Sequence, residues 1–252
     1  MKVYDSYEYY TTKKRKNKIK PIIIIAIIII CALALLSIYL YSAFSNGSDG
    51  ILIDARNYYC VQTGKYNDMS AAKKSANELA VKGGAGYIIS DGGYRVLAGL
   101  YLEDGKCDEV INNLNKNGIA SSKYIIKVNK FFIADGADAE NIKSGIDIFH
   151  NTVERLYYLF IQTDMGALTI TELTKKIKVL SEQVDTCINV LSSTDYNRIK
   201  TTNLKSELIV LCAALNNFIA DDSLSTGASS KIKYLLIETA IIYKNFSELK
   251  YF

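Results

Sequence analysis

The chain has 252 residues, 49% of them hydrophobic, with a net charge of +4. That length holds one membrane anchor and two modest cores, because domains usually run to about 100–150 residues. A single histidine, His150, falls short of the ligand sets of zinc hydrolases, and the five cysteines include no CxxC pair that would suggest a disulfide framework or a metal site.

The chain opens on a basic tail, residues 1–20, with Lys13, Lys14, Arg15, Lys16, Lys18 and Lys20 just before an uncharged run at 21–44. About 20 apolar residues cross a hydrocarbon core of about 30 Å, so this run is predicted to be a transmembrane helix. A cleaved signal peptide would have a shorter apolar stretch and a small-x-small cleavage site. The basic flank stays inside, which places the N-terminus in the cytoplasm and everything after a linker at 45–56 outside it. The tail also suits contact with anionic lipid head groups.

An internal repeat follows. Tyr59, Val61, Gly64 and Tyr66 recur as Tyr94, Val96, Gly99 and Tyr101, each displaced by 35 positions, as are Leu79 to Leu114 and Gly83 to Gly118. Each copy reads strand, helix, strand. Residues 58–66 and 94–102 are rich in β-formers. Ala72, Ala76 and Leu79, then Cys107, Ile111 and Leu114, switch to helical spacing. Gly83 and Gly118 sit where a helix needs a left-handed C-terminal residue. Return strands are predicted at 86–90 and 123–130, and Asp91-Gly92-Gly93 is a hairpin turn.

The expected fold is α+β: after the transmembrane helix comes a βαββαβ domain of ferredoxin or RNP type over residues 57–130, a four-stranded sheet with two helices on one face. Val61, Val96, Ala98, Ile126 and Val128 are expected under those helices. Strand alternation then sends Cys60, Gln62, Arg95, Leu97, Lys123, Ile125 and Lys127 to the uncovered face. From pattern alone that face is either a ligand surface or an ordinary solvated antiparallel face.

The stretch Tyr59-Cys60-Val61-Gln62-Thr63-Gly64-Lys65-Tyr66 resembles the opening Y-x-V-Q-x-G-x-F signature of the SPOR (sporulation-related repeat) family. Tyr94-Arg95-Val96-Leu97-Ala98-Gly99-Leu100-Tyr101 is similar to its second signature, Y-R-V-x-x-G-x-F. The resemblance covers under a third of the chain. It implies a peptidoglycan-binding domain whose sheet face takes glycan strands stripped of stem peptides, as at division septa. Carried over by position, it implies glycan-binding roles for Gln62, Arg95, Leu97, Lys123, Ile125 and Lys65. Lys65 replaces a small residue that often follows the signature glycine, and Gly93 stands where some members carry an aromatic. No bond is broken in such binding, so neither cofactor nor metal is expected, and no carboxylate pair stands out as a glycosidase site.

Residues 135–252 carry four amphipathic stripes, through Ile142 to Phe160, Leu173 to Leu191, Leu204 to Phe218 and Ile232 to Leu249. Thr169 and Glu172 form a capping-box start. Short connections between the stripes predict an antiparallel four-helix bundle. His150 reads as a helix-surface histidine. An RNA-recognition role is disfavoured, because the third strand offers Arg95, Leu97 and Gly99 rather than stacking aromatics, and no nucleic-acid partner is expected. Partners expected are glycan strands, the membrane and a division or envelope protein on the C-terminal helices. The alternative is a membrane-anchored scaffold whose helices bind a protein while the sheet face goes unused.

Overall fold

In the computed structural model, which describes residues 50–133, 139–193 and 199–249, both repeat copies form the strands and helices their periodicity predicts. The run at 21–44 lies outside the described residues. Among the described residues no helix is long and apolar enough to cross a membrane.

A short strand β1 (Ile51–Ile53) leads into β2 (Arg56–Tyr66), helix α1 (Met69–Val81), β3 (Tyr87–Ser90), β4 (Tyr94–Tyr101), α2 (Asp104–Lys116) and β5 (Ser122–Val128). Asp68 starts α1 by accepting from the Ser70 and Ala71 N–H groups at 3.2 and 2.7 Å. Gly83 ends it at φ +87°, where a Cβ would be strained. The sheet is antiparallel with strand order β3-β4-β2-β5. A strand outside the expected domain limits, β6 (Phe131–Ile133), pairs with β1 as a separate two-stranded sheet.

The remaining helices are α3 (Ala139–Asp164), α4 (Ile170–Ser193), α5 (Ile199–Ile219) and α6 (Leu224–Ser247). The capping box before α4 is formed. Thr169 N–H donates to Glu172 Oε2 at 2.9 Å, and Glu172 N–H to Thr169 Oγ1 at 3.2 Å.

The sheet is packed on both faces. On one, Val61, Val96 and Ala98 meet α1 and α2, as expected. On the other, Tyr58, Cys60, Leu97, Leu100, Ile126 and Val128 join one continuous core with α3 and α6, reaching the stacked rings of Phe149, Tyr243 and Phe246. The expectation of an uncovered sheet face is therefore corrected: most of it is the floor of the helical core. Residues from Gly50 onward form one compact unit.

Polar contacts reinforce this seam. The Lys233 ammonium donates to the Gly83 carbonyl at 2.8 Å and pairs with Asp164 at 2.7 Å, placing a cation at the C-terminal end of α1, where the helix dipole favours it. Ser230 Oγ donates to the Gly84 carbonyl at 2.7 Å, and Asn129 N–H to Ser247 Oγ at 3.1 Å.

His150 belongs to the same seam rather than to the helix surface. Its Nδ1 lies 3.5 Å from Tyr58 Oη and its Nε2 3.1 Å from Glu154. Burial lowers its pKa, the Arg56 charge lowers it further, and Glu154 and Asp147 only partly oppose this. The unfolded chain thus takes up a proton near the ordinary histidine value of about 6.5, while the folded chain resists it, so stability falls as pH drops through that value. Urea titrations at pH 7.5 and 5 are expected to show a larger loss of unfolding free energy for the wild type than for His150→Gln. Equal losses would mean that His150 is not what titrates at the seam.

Candidate functional site

What stays open on the second sheet face is one end of it, where β2 and β4 run into the hairpin at residues 91–93. Lys65 stands directly opposite Arg95 in the register, and Gln62 opposite Leu97, past a bulge in β2. Residues opposite one another share a face. The Arg95 guanidinium donates from Nη1 to Gln62 Oε1 at 2.8 Å and from Nε to the Asp91 carbonyl at 3.1 Å. Its Nε also lies 3.5 Å from the Asp91 carboxylate, and its Cζ lies 5.4 Å from the centre of the Tyr124 ring. The Arg95 side chain keeps 23% of its surface exposed.

Tyr124 closes the group from β5. Burial pushes its hydroxyl up to about 12, and both the charge of Asp91 and a hydrogen bond to it act in the same direction. Tyr124 therefore stays a neutral donor to Asp91 and presents its ring to Arg95. Two exposed-face amides or carboxylates of a ligand could meet this cluster, because Arg95 spends only part of its donor fork on Gln62 and Asp91.

The sequence-predicted residues separate into three sets. Gln62, Arg95 and Lys65 lie together at the open end. Leu97 has no exposed surface and packs in the core shared with the C-terminal helices. Lys123 and Ile125 lie on the opposite face of the sheet, across from Val61 and Tyr59. Lys123 bridges the carboxylates of Asp104 and Asp108 on α2, the latter at 2.8 Å, and sits 5.8 Å from the Tyr59 ring. The expected facing of β5 is thus reversed: Tyr124, Ile126 and Val128 point to the C-terminal helices. The physical reason is the pairing of Cys60 with Tyr124 and of Tyr58 with Ile126. Apolar residues at alternate positions of β5 fit either covered face equally well.

Sequence reasoning missed Tyr124 and Asp91 as members of the cluster. One signal pointed to the true facing of β5: Asp104 and Asp108 are spaced by one helical turn, and the cation they attract is Lys123. The structure also accounts for Gly93. At φ +129° a Cβ there would lie 3.0 Å from the Tyr66 carbonyl and 3.1 Å from Lys65 Cε, so the turn leaves no room for an aromatic. Among the described residues no group of three or more His, Cys, Asp or Glu side chains is placed to hold a metal ion.

Residues 55–127 match the family model of the SPOR domain. Comparison with curated proteins finds no match, and comparison with solved structures finds none either. The family-model match falls on the stretch whose sheet holds the Gln62–Arg95 cluster.

Proposed function

We propose that this SPOR-domain chain is a non-enzymatic peptidoglycan-binding protein of the division or sporulation septum. In this reading residues 21–44 anchor it in the cell membrane, with the N-terminus cytoplasmic and the folded part outside. The observation that carries the reading is the half-buried Arg95–Gln62–Tyr124 cluster, at the end of the sheet where Arg95 still reaches solvent.

A denuded glycan strand offers N-acetyl amides, hydroxyls and lactyl carboxylates. Arg95 can hold a carboxylate through two parallel donors, and Gln62 can both donate to and accept from an amide. Lys65, exposed and opposite Arg95, adds a second cation. Leu97, buried, and Lys123 and Ile125, on the other face, take no part in this contact.

The test is co-sedimentation of the full chain, in lipid nanodiscs, with purified sacculi before and after an amidase has removed stem peptides. The wild type is expected to pellet, and more so with stripped sacculi. Gln62→Ala with Arg95→Ala is expected to cut retention by about tenfold, equivalent to ~1.4 kcal/mol, with an unchanged melting transition. Retention unaffected by the double substitution would remove the cluster from the binding site. The burial of most of the sheet face favours a second reading, an envelope scaffold acting through its helices. A folded chain retained by neither preparation would leave that one standing.

A further inference from the structure

We propose that the outer groove between α3 and α4 seats an acidic amphipathic helix of a partner protein. The groove stands apart from the Gln62–Arg95 cluster and does not depend on its ligand.

Two adjoining hollows of about 360 and 520 Å³ run along the α3–α4 seam and share Arg155 and Leu180 in their walls. The helices that form them carry a second stripe besides the one they bury in the core. On α3 this stripe recurs every seven residues, at Asn141, Ile148, Arg155 and Gln162. On α4, Lys176 and Gln183 keep the same interval. The seven-residue interval keeps these side chains in one line along each helix, so they border the groove from end to end. From Asn141 to Gln162 the groove is about 32 Å long at 1.5 Å per residue, enough for five to six turns of a guest helix.

Its surface is apolar where a guest's apolar face would lie. Tyr158 is 61% exposed and Val179 42%, both large side chains left in water beside the hollows. Apolar side chains exposed side by side along a groove are the kind of surface a docked partner covers.

The charge of the lining selects the guest. Arg155 and Lys176 are the only charged residues that line the two hollows, and both are cationic. Neither forms an ion pair among the described residues, although acidic residues are abundant elsewhere on these helices. The amides of Asn141, Gln162 and Gln183 complete a polar rim. The Glu172 carboxylate, one helical turn from Lys176, feels its charge but is already held by Thr169. A guest helix with carboxylates flanking its apolar stripe satisfies both cations. A lipid surface fits poorly, since a concave channel between two helices cannot lie against a flat bilayer. The mode is helix-in-groove recognition, with anchors at i, i+3, i+4 and i+7.

Tryptophan is absent from the chain, so a single tryptophan in a probe peptide reports binding without background. Two 18-residue helical peptides would carry the same leucine stripe and one tryptophan, with glutamate flanks in one and lysine flanks in the other. With the full chain in zwitterionic lipid vesicles, which add no tryptophan, the glutamate peptide is expected to bind saturably, with a blue-shifted emission and about tenfold tighter than the lysine peptide. Arg155→Glu with Lys176→Glu should reverse the preference, and Tyr158→Asp with Val179→Asp should abolish binding of both peptides while the melting transition persists. Absence of saturable binding overturns the proposal, and so does a preference that the charge reversal leaves unchanged. Self-association of the chain that Tyr158→Asp with Val179→Asp dissolves would assign the groove to a second copy and overturn it as well. Sacculus retention of the groove variants should match the wild type, so the groove and the glycan reading fail separately.

Discussion

Ending the chain after Ile133 is expected to abolish cooperative folding of the sheet. In the full chain Tyr58, Cys60, Leu97, Leu100, Ile126 and Val128 are almost completely buried, and what covers them is α3 and α6. Exposing one such side chain forfeits about 1.5–3 kcal/mol. Six of them amount to about 9–18 kcal/mol, which is as large as the whole stability of an ordinary domain, about 5–15 kcal/mol. The truncation also strips Lys233 from the end of α1 and Ser230 from the Gly84 carbonyl. Thermal circular dichroism and dye binding would measure this: the truncated chain should melt without a sharp transition and bind a hydrophobic dye strongly. A sharp transition and a monomeric elution profile would mean that α1, α2 and the sheet suffice, and that the seam contributes little.

Leu97→Ala is the second large effect. The side chain has no exposed surface, and its removal opens a cavity against the C-terminal helices. Burial and cavity together cost about 2–5 kcal/mol. In a chain of this size that lowers the melting temperature by roughly 5–15 °C. Below the new midpoint, sacculus retention per folded molecule should equal that of the wild type, because Leu97 faces helix rather than solvent. Retention lost with an unchanged melting temperature would reverse the assignment: Leu97 would then touch the ligand, and α6 would have to lift from the sheet for binding.

The two halves of the chain were legible to different depths. The repeat placed β2 and β4 to within a residue or two and the helices that follow them, because strand alternation, helical spacing and the glycines at 83 and 118 act within a few residues of one another. The capping box at Thr169 and Glu172 is local in the same way. Gln62 and Arg95 were recognisable as a pair because both stand in the repeat, and their 2.8 Å contact follows from the β2–β4 pairing. His150, which closes on Tyr58 across the seam, has no local signal.

The sequence by itself determined the strands and helices of the repeat, the C-terminal helices, their order and the companionship of Gln62 with Arg95, but not the β1–β6 pair. Only the tertiary structure decided which sheet face is covered and by what. Strand β2 carries Tyr58 and Cys60 on one face and Tyr59 and Val61 on the other, an apolar pattern compatible with cover on either side. Strand β5 has one apolar face, Tyr124, Ile126 and Val128, but which covered side it meets awaited the pairing of Cys60 with Tyr124. Periodicity records that a side chain is apolar, whereas burial depends on surfaces brought by α3 and α6 from elsewhere in the chain, and no local pattern encodes which face they cover.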